Sequence, residues 1–105
     1  MLNRISGPTF GQRRLGDITI IPHETLVGYP VEVHICEFDA NSNIILSILH
    51  PASKQYVFSQ EYHLESSQSK VVLNTEGYPK GEFYVKVMGI ARGKEAQAEA
   101  VLSIK

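Results

Sequence analysis

From Gly81 to Gly89 the chain alternates apolar and polar positions without a break, with Phe83, Val85 and Val87 on one parity and Glu82, Tyr84 and Lys86 on the other. Side chains alternate across an extended strand, so this period of two predicts a strand over 82–88 with one face buried. The same period runs through Val31-Glu32-Val33-His34-Ile35 and predicts a strand over 31–37, with Glu32 and His34 outward. Asp17 to Pro22 reads as a shorter strand, and Pro22, which has no N–H to give, places it at an edge or an end. Residues 44–49 are nearly continuous apolar (Ile-Ile-Leu-Ser-Ile-Leu), which predicts a strand covered on both sides by a neighbouring segment or a partner. Residues 55–64 alternate poorly, the pattern of an edge strand or a bulge. Lys70 to Asn74 is a further short strand.

Residues 95–104 pull two ways. Their Ala and Glu content favours a helix by intrinsic propensity. Their apolar positions, Ala96, Ala98, Ala100, Leu102 and Ile104, repeat every second residue behind a glycine-bounded turn. The expectation is a strand paired with 82–88, with a helix as the alternative. Small inward residues would let that strand lie close to the opposite sheet. Between the strands stand turn residues: 27–30, 39–43, 50–54, 65–69, 75–80 and 89–94. Together this predicts an all-β fold, an immunoglobulin-like antiparallel β-sandwich of about seven strands over 17–105. Residues 1–16, broken by Gly7-Pro8, Gly11 and Gly16, read as an arm, linker or irregular first strand.

The order of strands resembles immunoglobulin-like and fibronectin-type-III-like modules. Gly81-x-Phe83-x-Val85-x-Val87-x-Gly89 looks like the penultimate strand of such modules, and Leu46 to Ser53 looks like their middle strand with its following turn. Macroglobulin-like domains and sandwich modules associated with von Willebrand A domains share this look. The resemblance implies architecture and no catalytic or metal-binding residue. The chain departs from the antibody pattern, having no Trp and a single cysteine.

Length and composition fit one ordinary globular domain: 105 residues, 43% hydrophobic and 20% charged. The net charge of −1 gives no global field for nucleic acid or an acidic membrane surface. The charge is uneven. Arg4, Arg13 and Arg14 make 1–16 +3, while seven basic and eleven acidic residues make the remainder −4. The basic segment either rests on its own domain or meets a partner. The one cysteine excludes an intrachain disulfide and leaves the compartment open. The N-terminal residues lack the apolar run of a signal peptide, and no stretch approaches the ~20 apolar residues of a membrane-spanning helix.

Candidate chemistry is sparse. His34 and Cys36 share a strand face, a possible metal pair, but no second pair at ligand spacing accompanies them. Cys36 has no flanking cation or helix N-terminus to activate it as a nucleophile. The loop Glu37 to Asn43 carries several oxygen donors but lacks the glycine and distal glutamate of an EF-hand, so a turn stabilised by its own side chains is expected. Tyr56, Phe58, Tyr62 and Tyr84 are the candidate protein-contact residues, because tyrosine offers large area with a polar tip. The alternative for them is cross-strand pairing on a solvated face.

The expectation is therefore a non-catalytic interaction or spacer module with no metal and no cofactor. Its contact would be a protein partner or neighbouring domain, without nucleic acid or membrane insertion. An extracellular or surface adhesion setting is expected if the chain is one domain of a larger protein. The alternatives are a structural assembly component, such as a phage-tail or secretion-machine part, and a carbohydrate-binding accessory module, against which the absence of Trp counts.

Overall fold

A computed structural model describes residues 16–105, which form eight strands and no helix. The arm proposed for 1–16 lies, apart from Gly16, outside the described residues. The strands are β1 (Asp17–Ile21), β2 (Glu24–Thr25), β3 (Val31–Cys36), β4 (Ser42–His50), β5 (Gln55–Leu64), β6 (Ser69–Leu73), β7 (Gly81–Ala91) and β8 (Lys94–Ile104). They make two sheets, β1-β3-β6 and β2-β8-β7-β4-β5. Every pairing is antiparallel except β2 with β8. This is an all-β sandwich. The seven strands expected from the pattern are all present, and the eighth, β2, is only two residues long, too short to carry a period.

The core forms where the apolar parity of each strand meets the other sheet. Ile18, Ile20, Val33 and Ile35 from the small sheet face Leu46, Ile48, Val85, Val87 and Leu102 from the large one, all buried. The alternation of β7 holds as read: Phe83, Val85 and Val87 are fully buried, and Tyr84 points away. The 95–104 ambiguity resolves as the strand β8, in register with β7 from Gly81↔Ile104 to Ala91↔Lys94. Ala96, Ala98 and Ala100 pack against the core, and their small size lets β1 lie against β8.

Two local readings change, and that of β5 holds. The turn expected over 89–94 shrinks to Arg92-Gly93, both at positive φ (53° and 76°), because β7 runs on to Ala91. Gly89 is therefore a strand residue, not a turn residue. A Cβ there would stand 2.7 Å from Ile44 Cγ2 and 3.1 Å from the Phe38 ring, so glycine is what lets Ile44 and Phe38 pack beneath it. Of the double cover expected for β4, from a neighbouring segment or a partner, the described segments supply one side: Ile44, Leu46 and Ile48 are fully buried, but Ile45 is 41% exposed and Leu49 half-buried. Strand β5 lies at the edge of the large sheet, and its register with β4 shifts between Ile48 and Leu49, so edge and bulge both occur.

Candidate interaction face

The shift in β5 decides where the candidate aromatic residues point. In an unbroken strand Tyr56, Phe58 and Tyr62 would share one face, being of one parity. Ile48 pairs with Phe58, but Leu49 pairs with Tyr56, so Val57 is the extra residue of a bulge. Ile44 and Ile48 are inward, so their partners Tyr62 and Phe58 are inward too, half-buried against the core. Leu49 is outward and pairs with Tyr56 on one side and Tyr84 on the other. The structure thus brings Tyr56 and Tyr84 into one row on the outer face of the large sheet and places Phe58 and Tyr62 on its inner face. Tyr78, on the connection between β6 and β7, lies tilted against Phe83 with ring centroids 5.5 Å apart. Its phenol pKa is pushed up, first by burial and then by nearby Tyr62.

The outer face follows from the register. Its rows are Glu61–Ile45–Met88–Gln97, Ser59–Ser47–Lys86–Glu99 and Tyr56–Leu49–Tyr84–Val101, read across β5, β4, β7 and β8. Ile45, Met88, Val101, Tyr84 and Tyr56 are exposed by 38–62%. They lie in two rows, Ile45 with Met88 and Tyr56 with Leu49, Tyr84 and Val101, on either side of the polar row Ser59–Ser47–Lys86–Glu99, and no other described segment covers this face. At its upper end lies an open groove of about 580 Å³, lined by Asn43, Ile45, Glu61, Met88, Glu95 and Gln97 among others. Sequence reasoning named Tyr56 and Tyr84 as contact residues and read a second apolar face in 44–49, where Ile45 lies, without naming Ile45 itself; Met88 it did not single out.

The other candidates are occupied by structural tasks. His34 Nε2 lies 2.9 Å from Glu32 Oε1, and Lys70 Nζ 3.6 Å from Glu32 Oε2. That hydrogen bond and the lysine charge hold the Glu32 carboxyl below its ordinary value of 4.5. Cys36, half-buried beside Asp17, has its thiol pKa raised, chiefly by burial and then by the charges of Asp17 and Glu37. This is the reverse of an activated nucleophile.

Asp39 accepts the Arg92 N–H through Oδ1 (2.7 Å) and the Gly93 N–H through Oδ2 (2.9 Å). Its carboxylate therefore caps the β7–β8 hairpin. Among the described residues no group of three or more His, Cys, Asp or Glu is placed to hold a metal ion. His50 stacks on Phe83 at 4.9 Å, and His63 Nδ1 lies 2.8 Å from Asn43 Oδ1.

No protein-family model matches the chain, and no curated protein matches it by sequence. Among the described residues no helix is long and apolar enough to cross a membrane.

Proposed function

We propose that the chain is a non-catalytic protein-interaction module of immunoglobulin-like type whose contact surface is the outer face of the β2-β8-β7-β4-β5 sheet. The observation that carries this reading is the set of exposed apolar side chains on that one face, Ile45 and Met88 in one row and Tyr56, Tyr84 and Val101 in another. Exposed apolar side chains grouped on one face mark an interaction site more often than single scattered ones do. The strand order supports the immunoglobulin-like reading, with the last two strands paired at the centre of the larger sheet. In this reading the sandwich displays the face, and a partner or a neighbouring domain covers it. A setting within a larger extracellular or surface protein is part of the same proposal.

The test is site-specific photo-crosslinking in cells that produce the protein. A photoreactive residue replaces Tyr84 on the proposed face, or Val72, which is 60% exposed on the opposite sheet. Discrete adducts from position 84 and none from 72 are expected. Equal adducts from both positions, or none from 84, contradict the proposal.

A further inference from the structure

The groove at the upper end of this face carries more than apolar surface. It lies between two carboxylates on opposite banks, Glu61 on β5 and Glu95 on β8, with Ile45 and Met88 between them. The outer face bears Glu61, Glu82, Glu95 and Glu99 against one lysine, Lys86, which stands directly across from Glu99 in the register. Among the described residues Glu61, Glu82 and Glu95 form no ion pair. At the groove the face is thus apolar between two acidic banks, and Lys86 lies one row below. Two such faces brought together would set like charges against one another, which disfavours a second copy as the occupant.

Resting on the interaction reading above, we propose that this groove receives an arginine or lysine side chain presented by a protein partner. The aliphatic stem would cross Ile45 and Met88 while the cation reaches the carboxylate on one bank, Glu61 or Glu95. Long basic side chains bury their methylene stems on apolar surface and keep the charged head in water, which is the combination this groove offers. Gln97 supplies a further polar group on the β8 side. An acidic side chain would meet two unpaired carboxylates, so the same geometry selects against acidic segments.

The test uses the full chain, ¹⁵N-labelled, titrated with N-acetyl-arginine methylamide, its norleucine analogue (the stem without the charge) and its glutamate analogue. The arginine probe is expected to shift the amides of Ile45, Met88, Gly89 and Gln97, and to bind about three- to five-fold more tightly than norleucine, the scale of an exposed charge pair. The double variant Glu61→Gln/Glu95→Gln should remove that advantage and leave the norleucine response unchanged. Both residues are exposed, so folding is not at stake. Equal responses to arginine and norleucine would overturn the charge assignment while leaving the apolar face standing. Shifts from arginine confined to residues outside the groove, or a stronger response to glutamate, would overturn the site. Loss of crosslinking at position 84 would instead strike the interaction reading itself, so the two failures are distinguishable.

Discussion

The ring of Phe38, fully buried at one end of the sandwich, is held between two glycines. A Cβ at Gly16 would stand 2.5 Å from Phe38 Cζ, and one at Gly89 3.1 Å from Phe38 Cδ1. Gly89→Ala should therefore destabilise the domain by about 1–3 kcal/mol through overpacking, read from urea unfolding. An unchanged midpoint would mean the end of the core has room to spare. Thr75 is the one fully buried polar side chain among the described residues, and its hydroxyl donates to the Tyr29 carbonyl at 2.7 Å. Thr75→Val keeps the shape and orphans that carbonyl, so a loss of about 1–2 kcal/mol is expected. At Glu32 the folded-state pKa is lowered, so its small contribution to stability is present above 4.5 and disappears as pH falls through the folded value. An NMR titration of its side-chain carboxyl should give a midpoint below 4.5, moving up in the Lys70→Ala variant. A midpoint at or above 4.5 would break the assignment. Of these residues the sequence showed little: Gly89 looked like a turn, and the Thr75 contact spans forty-six positions of chain.

At the scale of elements, periodicity was the readable quantity. The alternation of β3 and β7 and the small-residue alternation of β8 gave strand type and inward face, because each is long enough to repeat. What stayed hidden is what depends on a partner strand. The bulge at Val57 that separates Tyr56 from Phe58 and Tyr62 is a property of the pairing with β4, not of β5 alone. The two-residue β2 forms only because β8 offers it an edge. The β7–β8 hairpin is likewise secured from afar, by Asp39 accepting two amides across its tip. Asp39→Ala should cost about 1–2 kcal/mol, in the range of charge-assisted bonds reduced by partial exposure. It should also raise hydrogen exchange at the Arg92 and Gly93 amides selectively. Protection of those amides equal to that of the parent would show that the turn holds itself.

Over the whole molecule, the two sheets differ in what they leave uncovered. The outer face of β1-β3-β6 carries the His34–Glu32–Lys70 polar cluster beside two exposed apolar residues, Ile21 and Val72. The outer face of the five-stranded sheet exposes five, Ile45, Met88, Tyr56, Tyr84 and Val101, which add nothing to the core, since the core residues all lie on the opposite parity. On the proposal above, these residues serve recognition and not folding. The triple variant Ile45→Thr/Tyr84→Thr/Met88→Thr tests it most directly. Thr keeps strand preference while removing the apolar surface. The expected unfolding free energy lies within about 1.5 kcal/mol of the parent, the sum for three surface substitutions, with loss of binding at this face. A loss of more than about 4 kcal/mol, or full retention of partner crosslinking from Val101 on the same face, would contradict it.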